Sequence, residues 1–202
     1  MQLSADSVER VARDFAGAQL GDPRRSRRAQ AIVAQLARNP GGSLPQSMGS
    51  EAALEGVYRF ANNPRVMTKP LAKAHADATA RRAADAQSVI VDHDTTDCTF
   101  PDLAPDEIGY LPTGKAGFFL HVALVLDASC WRNPLGVVHF ETIHRTSRSK
   151  TGSRKRAGRE TVVDEESEGA RWWRGIQAAG QALSHCTEVI HVADRESDSY
   201  EL

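Results

Sequence analysis

The amino-acid sequence predicts an α+β protein in which a helical N-terminal region precedes a mixed sheet covered by helices. Up to residue 87, apolar residues recur at the spacing of one helical face. From residue 88 onward, β-branched and continuous apolar runs alternate with turn residues. Three strands in a row followed by a helix and a fourth strand favour a mixed sheet. We therefore expect two domains, residues 1–87 and residues 88–202.

The first two helices are predicted from apolar stripes and from the residues that interrupt them. The stripe of the first helix contains Val8, Val11, Ala12 and Phe15. Gly21 ends this segment, and Asp22 and Pro23 suit the N-cap and first position of a second helix. The stripe of the second helix contains Ala29, Ile32, Val33 and Leu36. The run Asn39-Pro-Gly-Gly42 ends it.

Two further helices complete the predicted N-terminal domain. The third is predicted from Ser50 to Phe60, and the sequence Asn62-Asn63-Pro64 ends it. The fourth is rich in alanine and spans about residues 70–85.

Four strands and one helix are predicted after residue 87. The strands cover 88–92, 117–128, 135–143 and 188–193, with Asn133-Pro134 as the turn between the second and third. The helix covers about 166–184. The predicted order is therefore β-β-β-α-β, and the sequence contains no internal repeat, P-loop or GxGxxG motif.

Composition limits the class of protein. The 202 residues are 41% hydrophobic and 25% charged, which is typical of a folded globular protein and excludes wholesale disorder. No apolar stretch is long enough for a transmembrane helix, and the N-terminus lacks the apolar core of a secretory signal. The widely spaced Cys98, Cys130 and Cys186 indicate cytoplasmic thiols, with neither a disulfide framework nor a zinc site.

The formal net charge of -1 conceals two basic segments. The first contains Arg24, Arg25, Arg27 and Arg28. At 100° per residue three of these project away from the apolar stripe, whereas Arg25 lies nearer to it. The second segment spans residues 145–159, and an acidic patch at 164–168 offsets its charge. Local basic clusters bind phosphate backbones whatever the net charge, and the alternative is that both segments are simply solvated surface.

Carboxylates follow the first and fourth predicted strands abruptly. The first strand runs into residues 92–97 (DHDTTD) and the fourth into 194–198 (DRESD). If these strands are parallel neighbours, the two acidic clusters converge at one edge of the sheet, where oxygen ligands suit Mg²⁺ or Mn²⁺. The alternative is that they are ordinary turn and cap residues. His93 is expected to point away from this side, and His121 to be a buried core histidine.

These features together resemble the bacterial DDE cut-and-paste transposases of the insertion-sequence-four group, of the type found in transposon five. The resemblance extends from about Leu20 to Tyr200. Its motifs are Leu20-Gly-Asp-Pro-Arg-Arg25, Glu55-Gly-Val-Tyr-Arg-Phe60, Asp94-Thr95-Thr96, His121-Val-Ala-Leu-Val-Leu-Asp127, Glu166-Ser-Glu168 and Asp194-Arg195-Glu196.

The resemblance implies a transposon-end DNA-binding domain followed by a ribonuclease-H-like catalytic domain. It implies that Asp94 and Asp194 are catalytic residues that bind Mg²⁺ or Mn²⁺. It implies DNA binding by the two basic motifs of the N-terminal domain, at Arg24, Arg25, Arg27, Arg28, Tyr58 and Arg59. The partner would be double-stranded DNA at transposon ends, with a full-length transposase subunit as a further one, in the bacterial cytoplasm at the nucleoid and not at a membrane.

The family's third catalytic residue is a glutamate on a helix well downstream of the second aspartate. The eight residues after Asp194 do not reach such a helix, so we expect a truncated catalytic core with little activity of its own. Two alternatives remain open. The chain could be a module or inhibitor that only binds DNA, or an unrelated metal-dependent nuclease of ribonuclease-H-like fold.

Overall fold

The computed structural model describes residues 3–129, 133–146 and 170–194. In chain order its elements are α1 (Ala5–Arg13), α2 (Pro23–Arg38), α3 (Leu44–Met48), α4 (Glu51–Ala61), α5 (Thr68–Ala83), β1 (Ser88–Thr99), α6 (Pro105–Ile108), β2 (Gly117–Asp127), β3 (Asn133–Ile143), α7 (Ala170–Ala182) and β4 (Glu188–Ala193). The predicted α+β class, with a helical N-terminal region and a four-stranded mixed sheet, is confirmed.

The chain divides into two compact units, Met1–Ala78 and Thr79–Leu202. The division falls inside α5, whereas the change of sequence pattern places it after residue 87. Ala83, in the last turn of α5, is buried in the apolar core of the sheet. The end of this helix therefore belongs with the second unit.

Side-chain caps define where the helices of the N-terminal unit begin. The Asp22 carboxylate accepts a hydrogen bond from the backbone N–H of Arg24 at 2.8 Å, which fixes the start of α2 as predicted. Ser50 caps α4 in the same way. The short helix α3 is not among the predicted elements, although Ser43 and Gln46 form a capping box at its start. Five residues are too few for an apolar period to be visible.

Small apolar side chains form the core of the N-terminal unit. Ala18, Leu20, Ala29 and Ala74 are buried together, with Phe60 and Leu71 packed against them. A second link joins the end of α1 to α5, where Asp14 lies 3.0 Å from His75 Nδ1. Phe15 stacks on the same histidine ring with a centroid separation of 5.7 Å. The C-terminal end of α1 is therefore tied to α5 by one polar and one aromatic contact.

The second unit is a four-stranded sheet in the order β3-β2-β1-β4. β1 and β2 are antiparallel, as are β2 and β3, whereas β4 runs parallel to β1. α7 packs across β3, β2 and β1 on one face. The core between them includes Val89, Val91, Ala123, Val125, Ala179 and Leu183. The predicted β-β-β-α-β order and the parallel pairing of the first and fourth strands agree with this topology.

The first strand is longer than its apolar residues predict. β1 continues from Asp92 to Thr99 because its backbone pairs with β2 as far as Thr99 opposite Gly117. The polar side chains alternate between the α7 face and an exposed face, so the strand loses its apolar pattern without ending. The expected strand end at residue 92 is therefore wrong.

The expected turn at Asn133-Pro134 is also wrong, because both residues lie in β3. β3 is the edge strand of the described sheet, where a proline removes no necessary ladder hydrogen bond. The register between β2 and β3 shifts twice in this stretch, and Gly136 adopts a φ of 138° there. A β-bulge that uses a glycine explains why a turn-like sequence forms part of a strand.

Several predicted features lie outside the described residues. They include most of the basic segment 145–159, the acidic patch 164–168 and the residues after Asp194. In the ranges that are described, no helix has the length and apolar character needed to cross a membrane.

Candidate nucleic-acid interface and carboxylate site

Three arginines line the exposed side of α2. Arg24, Arg27 and Arg28 are exposed, and their spacing places them on neighbouring lines of the helix surface. Within the part of the chain that the structure describes, none of the three guanidinium groups has a hydrogen bond or an ion pair. Their charge is therefore available to an anionic partner.

Arg25 has a different environment from its three neighbours. Its Nη1 donates to the carbonyl oxygen of Leu20 at 2.5 Å, which closes the turn between α1 and α2. Gly21, inside this turn, has a φ of 72°, a left-handed conformation that glycine adopts without strain. Helical periodicity predicts that Arg25 lies near the apolar side of α2. In the structure its guanidinium group is hydrogen-bonded to the protein's own backbone.

The two residues of the second basic motif lie on different sides of α4. Tyr58 is 50% exposed, and the exposed Arg59 forms an ion pair with Glu55 at 2.5 Å. Gly56 is the one buried residue of α4. At 100° per residue Tyr58 lies about 200° around the helix from Gly56, on the opposite side of α4, whereas Arg59 lies about 60° from Gly56.

Arg28 is the side chain that links the two helices. A Cβ atom placed on Gly56 would lie 2.8 Å from Nη2 and 3.3 Å from Cζ of Arg28. The guanidinium group therefore rests directly over the α4 backbone. Three of the six residues expected to bind DNA share the α2 surface. One of these three, Arg28, also contacts α4.

The two aspartates singled out in the second unit directly follow the last registered pair of two parallel strands. That pair is His93 of β1 with Ala193 of β4, so Asp94 and Asp194 lie at the same end of the β1–β4 ladder. Both aspartates are exposed, and Asp94 accepts a hydrogen bond from the N–H of Thr95 at 2.8 Å.

The donor atoms of this pair are two exposed carboxylates, a type of ligand that Mg²⁺ and Mn²⁺ prefer. Among residues 3–129, 133–146 and 170–194, no group of three or more histidine, cysteine, aspartate or glutamate side chains is arranged to hold a metal ion. Among the described residues, the two aspartates are therefore not part of a larger group of such side chains.

A layer of four histidines, one from each strand, lies on the other face of the sheet. It contains His93, His121, His139 and His191. His93 Nε2 lies 2.9 Å from His191 Nδ1, and His121 Nδ1 lies 2.9 Å from Thr95 Oγ1. The sequence predicts that His121 is a buried core histidine and that His93 points away from the acidic side, but it does not predict the shared layer. Alternation within each strand could reveal it only once the strand registers are known.

Burial keeps this layer uncharged at neutral pH. Desolvation lowers the pKa of His93 and of His121 to about 4, and it also lowers the pKa of His139 and His191. Beside the layer, Arg174 of α7 and Glu141 of β3 form a charged pair, joined by hydrogen bonds of 2.6 and 2.9 Å. The layer therefore serves as packing between α7 and the sheet.

A comparison with protein families finds a match within the N-terminal unit. A family model described as transposase DNA-binding matches residues 9–66. The matched segment includes α2, α3 and α4, together with the three exposed arginines of α2. This segment is therefore similar to the DNA-binding portion of transposases.

Proposed function

We propose that this protein binds double-stranded DNA at transposon ends, as part of cut-and-paste transposition, through its N-terminal helical unit. The match of residues 9–66 to a transposase DNA-binding family carries the proposal. The cationic side of α2 supplies the physical basis, because Arg24, Arg27 and Arg28 have no described protein partner. Arginines of this kind release counterions from DNA when they neutralise phosphates.

The proposal extends to the second unit, as a ribonuclease-H-like domain of the insertion-sequence-four group. The sheet order β3-β2-β1-β4, with a helix before a parallel fourth strand, supports this assignment. Asp94 and Asp194 would hold Mg²⁺ or Mn²⁺ between the middle of β1 and the C-terminal end of β4. A divalent ion bound there would activate a water molecule or a 3′-hydroxyl for attack on a phosphodiester.

The chain's own contribution at this position would be to hold two carboxylates close to each other. Parallel pairing of β1 and β4 up to the residues directly before the aspartates supports this, and the Thr95 N–H orients the Asp94 carboxylate. If these two aspartates are the only acidic ligands at this position, we expect the chain to bind DNA without efficient cleavage.

Selection of bound duplexes from a random pool tests the DNA-binding proposal. The full chain should enrich a common sequence, and the logarithm of its affinity should fall linearly with the logarithm of salt concentration. Arg27→Ala should weaken binding and flatten that dependence, whereas Arg81→Ala, an equal loss of charge outside the matched segment, should have less effect. No binding, or binding that salt does not weaken, would contradict the proposal.

A protein that only binds transposon ends, such as an inhibitor of transposition, is the second candidate. It rests on the match of residues 9–66 alone and requires no metal at Asp94 and Asp194. Cleavage of the selected duplex in Mn²⁺ by the native chain, and its loss in Asp94→Ala, would exclude this candidate. Cleavage of generic RNA–DNA hybrids would point instead to an unrelated nuclease of the same fold class.

A further inference from the structure

Gly56 occupies a position where a helix gains nothing from glycine. It lies in the middle of α4, a helix of 11 residues, where glycine is less favourable than alanine. Its backbone has no left-handed φ that would require glycine. A close approach of another group is therefore the remaining physical reason for a glycine here.

The group that approaches Gly56 is the Arg28 guanidinium. Its Nη2 lies 2.8 Å and its Cζ 3.3 Å from the place that a Cβ would occupy. The first distance is shorter than real Cβ contacts and the second is tighter than most of them, so any side chain at position 56 would displace the guanidinium. The displacement would be local, because the affected atoms are the far end of a flexible side chain.

We propose that Gly56 is a positioning residue for DNA binding, because it lets the Arg28 guanidinium lie across α4 as a preformed phosphate contact. This inference rests on the proposed DNA-binding function. A guanidinium held in place before binding loses less side-chain entropy when the phosphate arrives. Arginine matches phosphate with paired N–H donors, and this arginine has no described partner competing for them.

A phosphate fits this arrangement better than a base edge. The major groove is about 8.5 Å deep, so a base-reading arginine must extend away from the protein surface. The Arg28 side chain instead lies back against a neighbouring helix. Its effect on affinity should therefore be the same on different DNA sequences, which is the signature of a backbone contact.

The test measures DNA affinity for the full chain and for Gly56→Ala, Arg28→Ala and the double variant. Each protein is titrated with a duplex selected from a random pool and with a scrambled duplex of the same composition. We expect Gly56→Ala to weaken binding to both duplexes about three- to tenfold, and to lower the salt slope by about one. In the Arg28→Ala background the glycine substitution should have no further effect, since its target is gone.

Gly180→Ala is the matched control, because this α7 glycine is exposed and a Cβ there would meet no atom within 4 Å. It should leave both affinities unchanged. Thermal unfolding separates positioning from folding, since Gly56→Ala should keep or raise the melting temperature. An unfolded Gly56→Ala would overturn the inference, which requires only the guanidinium to move.

Three other results would also overturn the inference. The first is full affinity in Gly56→Ala, and the second is an equal loss with and without Arg28. The third is a loss confined to the selected duplex, which would indicate base reading. In each case a native chain that still binds DNA leaves the proposed function intact. A native chain that binds neither duplex would overturn the proposed function itself.

Discussion

His121 is fully buried between the sheet and α7, yet its ring belongs to a polar layer. Its Nδ1 lies 2.9 Å from Thr95 Oγ1, and a second ring, His93, stacks on it at 5.8 Å. His139, Glu141, Arg171 and Arg174 also act on it electrostatically. Burial outweighs the favourable carboxylate and lowers the pKa of His121 to about 4 from an ordinary 6.5.

This depressed pKa predicts a loss of stability in mild acid. As the pH falls below 6.5 the unfolded chain takes up a proton at His121, whereas the folded protein does so only near pH 4. The stability that comes from keeping His121 neutral is therefore fully present above pH 6.5 and is lost between pH 6.5 and about 4. In His121→Phe, the decrease in unfolding free energy between pH 7 and pH 4.5 should shrink by about 1–3 kcal/mol.

Urea unfolding at several pH values measures this effect. The difference in unfolding free energy between the native protein and His121→Phe at pH 8, where the four histidines of the layer are neutral, gives the packing cost of the substitution. An unchanged pH dependence in His121→Phe would contradict the assigned cause.

Asp14 is a second buried polar residue, with 7% of its surface exposed. It lies 3.0 Å from His75 Nδ1, so Asp14→Ala removes a buried interaction between α1 and α5. We expect a loss of about 1–3 kcal/mol in unfolding free energy. Asp6→Ala breaks the exposed Asp6–Arg10 pair on the same helix and should cost less than about 0.5 kcal/mol. If thermal unfolding shows equal losses of stability in Asp14→Ala and Asp6→Ala, burial does not make the Asp14 interaction the stronger of the two.

At the scale of elements, α7 contains two glycines with opposite surroundings. A Cβ on Gly175 would lie 2.8 Å from His121 Nε2 and 3.0 Å from His93 Nδ1. Gly180 is exposed and has open space beside it. The first glycine therefore lets α7 approach the histidine layer, and the second has no packing role.

The two glycines predict opposite effects of the same substitution. Gly175→Ala should destabilise the protein by about 1–3 kcal/mol, because buried imidazole rings cannot move aside as a surface arginine can. Gly180→Ala should stabilise it by up to about 1 kcal/mol through helix propensity. Chemical denaturation of both variants measures these two changes in stability. A Gly175→Ala variant as stable as the native protein would show that α7 can shift on the sheet.

At the scale of the whole molecule, the proposed DNA contacts and the proposed metal ligands lie in different compact units. The arginines of α2 belong to Met1–Ala78, and Asp94 and Asp194 to Thr79–Leu202. Substitutions in one unit should therefore act on one property and leave the other unchanged.

A crossed experiment tests this separation. Arg24→Ala should reduce DNA affinity and leave Mn²⁺ binding, measured by calorimetry, unchanged. Asp94→Asn should weaken Mn²⁺ binding and leave DNA affinity in metal-free buffer unchanged or slightly higher, since one negative charge is lost. If Asp94→Asn has no effect on Mn²⁺ binding, the proposed metal role of the aspartate pair is wrong.

Most helices and all four strands are predictable from local sequence because their causes are local. Asp22 caps α2 with its own side chain, and the apolar run of β2 cannot be exposed on both faces. The strand ends are less predictable. β1 extends to Thr99 through pairing with a strand about 20 residues away, and β3 includes Pro134 because it is an edge strand. Neither fact has a local signature.

The sequence by itself determined the α+β class, the element order and the two acidic motifs, because periodicity, caps and composition act over a few residues. Only the tertiary structure decided which of those residues meet. Strand register pairs His93 with Ala193, directly before Asp94 and Asp194, and gathers four histidines into one layer. Helix crossing puts Arg28 over Gly56, and the turn before α2 engages Arg25. These contacts join distant positions, and no spacing along the chain specifies them.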